Sequence, residues 1–230
     1  MTHERNFSHT KRLVQHILPT CCVICLMRQT HSICSECINK LSLDQPSRTC
    51  ITCGQLNLTW HCKGCKENPW AFDETIVMAH DTNRLFSILM AVQRGKLQHL
   101  SALVEAWSIS CKRKMGPVDV LIPFPESQQA CQKRGFWFAL EFAKKLQAWN
   151  HAKIRTELIQ WAPMQNGLYS LKIKPSRSLE LPLHNLRVAI VLPYMQWTYP
   201  VQELALCLRS LGARWITNWV LIRQSKKEHD

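Results

Sequence analysis

Eight cysteines between Cys22 and Cys65 spell the same pattern twice. The first copy is Cys22-x2-Cys25, eight residues, then Cys34-x2-Cys37; the second is Cys50-x2-Cys53, eight residues, then Cys62-x2-Cys65. Every cysteine of the second copy lies 28 positions after its counterpart. Four C-x2-C pairs match two tetrahedral zinc sites of four thiolates each, and the repeat favours sequential over crossed pairing. Two intervening residues make a tight turn that presents both sulfurs to one metal. Gly54, after Cys53, suits that turn because glycine tolerates positive φ. Cys21 falls outside the register and is read as spare; His31 and His61 are alternative ligands that the pattern does not require. A disulfide framework is the competing reading, disfavoured by the polar, charged start of the chain, which is unlike a secretory signal. Four thiolates leave no open position for water, so two structural zinc ions are expected rather than a catalytic one.

A length of 230 residues accommodates such a metal-dependent module and one ordinary core domain. The expected division is 1–68 for an N-terminal helix and the double zinc module, and 69–230 for an α/β domain. No apolar run reaches the roughly 18 residues of a membrane span. Thiols kept available for metal point to the cytoplasm. The formal charge of +13 is split as +4 over residues 1–70 and +9 over 71–230. A basic surface attracts polyanions, and nucleic acid is the commonest of these in the cytosol. Candidate nucleic-acid contacts are Lys112, Arg113, Lys114, Lys133, Arg134 and Trp137. Nine tryptophans offer stacking faces, although Trp107 and Trp149 fall on the apolar stripes of helices. Trp137 and Trp197 are the two singled out for a functional role.

Residues 11–18 place Leu13, Val14, Ile17 and Leu18 on one side of a short helix that Pro19 ends. After Asp73, strands and helices alternate. Strands are expected over 75–80, 118–122, 157–161, 188–192 and 215–222. Helices are expected over about 82–94, 97–111, 135–149 and 201–211, with 163–186 irregular or a flap. This alternation predicts a parallel sheet covered on both faces.

With these parts in this order, the chain resembles the ComF/GntX family of competence-associated proteins over nearly its whole length. The resemblance rests on Leu18-Pro19 leading into the cysteine pairs, on the strand Val118–Pro123, and on Arg134-Gly135-Phe136, which opens that family's RGFNQ motif. The final strand–helix–strand from Val188 to Arg223, with Leu211-Gly212-Ala213 after the helix, matches as well. The family joins a zinc module to a type I phosphoribosyltransferase domain, so the resemblance implies that fold here.

The family's phosphoribosyl diphosphate loop is a strand ending in two acidic residues followed by V-x-T-T-G-x-T. Its carboxylates hold the ribose hydroxyls and assist Mg²⁺, while its small residues open backbone N–H groups to a phosphate at a helix N-terminus. Here the stretch reads Leu192-Pro193-Tyr194-Met195-Gln196-Trp197-Thr198-Tyr199-Pro200. Leu192 and Pro193 replace the carboxylates, Thr198 replaces the glycine, and Gln196, Trp197 and Pro200 replace the hydroxyls. Pro200 has no N–H to give, and Trp197 and Tyr199 bring bulk. Trp137 and Phe138 stand where RGFNQ has Asn and Gln.

These departures mark a vestigial loop, with Mg²⁺, phosphoribosyl diphosphate and small-molecule substrates not expected to bind and no catalytic residue assigned. The resemblance then implies a role in DNA uptake and transformation, through single-stranded DNA or DNA-uptake proteins. An enzyme with an altered pocket and a purely protein-binding adaptor are the alternatives.

Overall fold

The computed structural model describes residues 20–29, 32–37, 39, 49–57, 59–81, 85–111, 115–163, 169–173 and 182–225. The expected helix at 11–18 and the basic residues Lys112, Arg113 and Lys114 lie outside these.

The cysteine-rich module contains two-residue strands β1 (Thr20–Cys21) and β2 (Arg28–Gln29), and a short helix α1 (Lys63–Glu67). The body then follows as β3 (Glu74–His80), α2 (Leu85–Gln93), α3 (Leu100–Cys111), β4 (Val120–Pro123), α4 (Gln128–Arg134) and α5 (Phe138–Asn150). It continues through β5 (Lys153–Ile154), β6 (Ile159–Pro163), β7 (Tyr169–Ile173), β8 (Arg187–Met195), α6 (Tyr199–Ser210) and β9 (Trp215–Arg223). Five strands form one sheet in the order β3-β9-β8-β4-β5, and every neighbouring pair is parallel. The expected α/β architecture with a cysteine-rich module at its start is therefore the architecture found. Among the described residues, no helix is long and apolar enough to cross a membrane.

The central strand β8 reads Val-Ala-Ile-Val-Leu because both its faces are covered, which removes the polar half of an alternating pattern. One face buries Ala189, Val191, Trp219 and Leu221 beneath α2, α3 and α5. Trp107 packs edge-on to Phe142 at 5.9 Å and tilted against Trp219 at 6.4 Å there. The other face buries Val188, Ile190, Leu192 and Val220 beneath α6 and the β6–β7 hairpin.

Three expectations are corrected. Gly135, in the left-handed conformation at φ 86°, ends α4, so the helix anticipated from residue 135 begins at Phe138 instead. The stretch 163–186 is not wholly irregular: Tyr169–Ile173 pairs antiparallel with Ile159–Pro163, because Leu171 buries against the sheet. Trp149 does not join a buried face. It is 55% exposed in the last turn of α5, past the stripe that ends at Leu146.

Candidate metal centres and the carboxyl edge of the sheet

The 28-residue register holds bond for bond. The Cys22 N–H donates to the Met27 carbonyl at 2.9 Å, and Cys50 N–H to Gln55 at 2.8 Å. Leu26 N–H returns to Cys22 and Gly54 N–H to Cys50, at 2.8 and 2.9 Å. The pairing Cys21↔Arg28 recurs as the bridge Thr49↔Leu56. Cys21 thus occupies a place that threonine fills in the second copy, which accounts for a cysteine outside the metal set.

Two groups of four thiols result, Cys22/Cys25/Cys34/Cys37 and Cys50/Cys53/Cys62/Cys65, the sulfurs of each lying within 4.8 Å of one another. Metal–sulfur bonds of about 2.3 Å in a tetrahedron require sulfur–sulfur edges of about 3.8 Å. Cys25 and Cys34 are 3.7 Å apart, and Cys53 and Cys62 are 3.8 Å apart. Backbone N–H groups of Cys34 and Cys62 donate to the Cys22 and Cys50 sulfurs, both at 3.4 Å, and the Trp70 indole donates to Cys65 at 3.1 Å. Such donors disperse thiolate charge.

The acidities also fit a cation. Burial raises the Cys22 thiol, yet converging N–H groups of Cys25, Cys34 and Ile24 outweigh it and draw it down to about 6. Cys50 is brought to about 7 in the same way. Burial and the neighbouring thiols push Cys53 up to about 11, a cost of gathering thiolates that a bound cation would offset. The donor set suits zinc, and four thiolates at each site would fill a tetrahedron and leave no position for substrate.

The second knuckle is bonded to the sheet. Thr75, on the edge strand β3, donates its N–H to Ile51 and its hydroxyl to the Thr52 carbonyl, and accepts from the Asn218 amide. His80 donates Nε2–H to Gly54 at 3.0 Å. Arg223, 1% exposed at the end of β9, reaches further. Its Nε donates to the Cys53 carbonyl at 3.2 Å, Nη1 to the Met195 and Gln196 carbonyls at 2.7 Å each, and Nη2 to the Thr198 hydroxyl at 3.0 Å.

This places the second knuckle beside the loop that follows β8, at the carboxyl edge where open α/β sheets bind ligands. Leu192 and Pro193 are buried, while Gln196 and Tyr199 face solvent, the latter 66% exposed. Trp197 is 68% exposed. Thr198 precedes α6 without capping it, its hydroxyl being held by Arg223, and Pro200 sits in the first turn of α6.

A hollow of about 240 Å³ opens next to this loop, lined chiefly by Phe124, Glu126, Arg134, Phe138, Pro193 and Tyr194. Its lining holds one carboxylate. Glu126 is ion-paired with Arg134 and accepts from the Ala139 N–H at 3.1 Å, so it is fully committed. The Arg134 guanidinium lies 5.6 and 5.9 Å from the Phe136 and Phe138 ring centres. Trp137 is half-buried and donates to the Phe124 carbonyl at 2.9 Å, whereas Lys133 is exposed. Of the proposed nucleic-acid residues, Arg134 and Trp137 are therefore engaged in holding the turn between β4 and α5.

Sequence reasoning missed Arg223 as the residue that ties the second knuckle to the end of β8. The signal was available as one charge closing the apolar run Trp215–Ile222, but nothing in the chain order says that this charge turns inward.

No protein-family model matches the chain, and no curated protein matches it. Among solved structures, it is similar to a purine phosphoribosyltransferase from Pyrococcus horikoshii, at 13% identity and a TM-score of 0.38, over 57% of this chain and 90% of that one. It is also similar to a hypoxanthine phosphoribosyltransferase from Trypanosoma cruzi, at 13% identity and a TM-score of 0.35, over 60% and 73% of the two chains. The α/β class itself is set by the five-stranded parallel sheet, with the cysteine-rich module against its β3 edge.

Proposed function

We propose that this chain is a non-catalytic phosphoribosyltransferase-type scaffold of the ComF/GntX kind, a cytoplasmic zinc protein that binds single-stranded DNA during uptake. The observation that carries this reading is the chemistry of the loop after β8. Where the family that the chain resembles has ribose-binding carboxylates, this chain has Leu192 and Pro193 near the end of β8, and the carbonyls of Met195 and Gln196, where β8 passes into the loop, accept from Arg223. The same loop presents Trp197 and Tyr199 to solvent on a chain of charge +13. Exposed aromatic faces within a positive field suit unstacked bases, which every sequence offers.

The test is titration of the zinc-loaded protein with phosphoribosyl diphosphate and Mg²⁺, and separately with single-stranded oligonucleotides at several salt concentrations. No heat with the diphosphate, together with salt-dependent oligonucleotide binding that Trp197→Ala weakens about tenfold or more, is the expected outcome. Micromolar binding of the diphosphate instead moves an enzyme with an altered pocket to the front. A protein-docking adaptor is a second reading, favoured by Leu26 and Met27, which are 74% and 65% exposed at the tip of the first knuckle. Failure of both titrations with capture of a nuclease-insensitive protein partner selects it.

A further inference from the structure

Arg223 raises an electrostatic question that the fold alone does not answer. Its guanidinium is buried, and among the described residues no carboxylate forms an ion pair with it. Its hydrogen-bonding partners are three carbonyls and a hydroxyl, all neutral. Neutral oxygens satisfy donors but do not cancel a charge, and an uncompensated buried cation is costly. Two anionic groups lie close by: the second metal group, since Cys53 is both the carbonyl that Nε contacts and one of its thiols, and the carboxylate of Asp81, whose N–H donates to the Arg223 carbonyl at 3.1 Å. Four thiolates around one divalent zinc leave a net charge of −2.

We propose that the tetrathiolate centre at Cys50, Cys53, Cys62 and Cys65 supplies the counter-charge for Arg223, so that this centre fixes the conformation of the loop Met195–Thr198. Arg223 acts as a positioning residue with two separable parts. Its charge is matched to the metal centre, and its planar fork distributes that hold over Met195, Gln196 and Thr198. Loss of the metal from the second centre then removes most of the counter-charge from a buried cation, and the cheapest relief is for the guanidinium to move out and release the loop. The second knuckle is on this account a device that sets the carboxyl edge of the sheet.

The two parts are distinguished in the full-length, zinc-loaded chain by following zinc release to a chromogenic chelator, alongside backbone hydrogen exchange over 195–200. Cys25→Ser identifies which release phase belongs to the second centre. Arg223→Gln is expected to speed that phase about tenfold or more, with the first-centre phase unchanged and exchange in the loop raised. Arg223→Lys, which keeps the charge without the fork, is expected to hold zinc within about threefold of the parent while the loop still exchanges faster. Equal release from the Gln and Lys variants, or parental release from Gln, overturns the proposal. Should Arg223→Gln not fold, Cys62→His keeps a metal ligand and removes one negative charge from the centre. Two zinc ions retained with faster loop exchange support the coupling, and unchanged exchange refutes it.

Discussion

Positions 26 and 54 are the same place in the repeat, yet one holds leucine and the other glycine. Both adopt the left-handed conformation, at φ 62° and 71°, and both close the same backbone hydrogen bond. The difference lies in what stands opposite. Leu26 points into solvent, whereas a Cβ at Gly54 would come within 2.5 Å of Val77 on strand β3. The turn tolerates a side chain, at a conformational cost, where nothing faces it; it demands glycine where it is pressed onto the sheet. Other contacts follow that division. Thr75, His80, Asn218 and Arg223 bond or brace the second knuckle. The first meets the body through apolar burial of Cys22, Ile33 and Cys37. One four-cysteine unit, present twice, is hydrogen-bonded to the sheet in its second copy and packed on the body by apolar burial in its first.

Removing one ligand from each copy tests this contrast most severely. Cys53→Ser is expected to lose one zinc and more than about 4 kcal/mol of stability, because the β3 edge and the loop after β8 lose their support together. Cys25→Ser is expected to lose one zinc as well, at less than about 2 kcal/mol, since Cys25 is exposed and Cys22, Ile33 and Cys37 still pack against the core. Zinc stoichiometry paired with denaturant unfolding checks both, and equal losses would break the comparison.

Gly54→Ala is the next largest. It combines a non-glycine residue at positive φ with a contact that Val77 must yield to, and about 2–3 kcal/mol of destabilisation with metal retained is expected. Gly64→Ala is its control, because no atom lies within 4 Å of the added Cβ and α1 is helical there. Chemical unfolding of both variants should separate them by at least about 1.5 kcal/mol.

Much of this architecture was legible in the chain. The metal groups follow from spacing, because a C-x2-C turn and a fixed repeat leave few ways to gather four sulfurs. The parallel sheet follows from apolar runs such as Val188–Leu192, which only strands buried on both faces require. The hairpin strand Tyr169–Ile173 was hidden because a stretch rich in Pro, Lys and Ser masks a single buried contact at Leu171. Arg134 and Trp137 read as a basic–aromatic surface, yet Glu126 and the Phe124 carbonyl turn both toward their own turn. Sequence reports that a residue is charged or aromatic, but whether it faces solvent depends on partners distant along the chain. For that reason Arg223, whose acceptors lie at positions 53, 195, 196 and 198, was the residue least visible beforehand.

The smallest expected effect is also the one most specific to the comparison. If Leu26 and Gly54 differ only in what faces them, Leu26→Gly should not harm the first knuckle. Glycine enters the left-handed region freely, which relieves up to about 1 kcal/mol, while its greater unfolded-state entropy opposes part of that gain. A side chain that is 74% exposed contributes little packing to lose. The expected result is a change in stability within about 0.5 kcal/mol of zero or mildly stabilising, with zinc stoichiometry unaltered, read from unfolding curves beside those of Gly54→Ala. A clear destabilisation would mean that Leu26 is held by something, and the tip of the first knuckle would then be pressed against a neighbour as the tip of the second is.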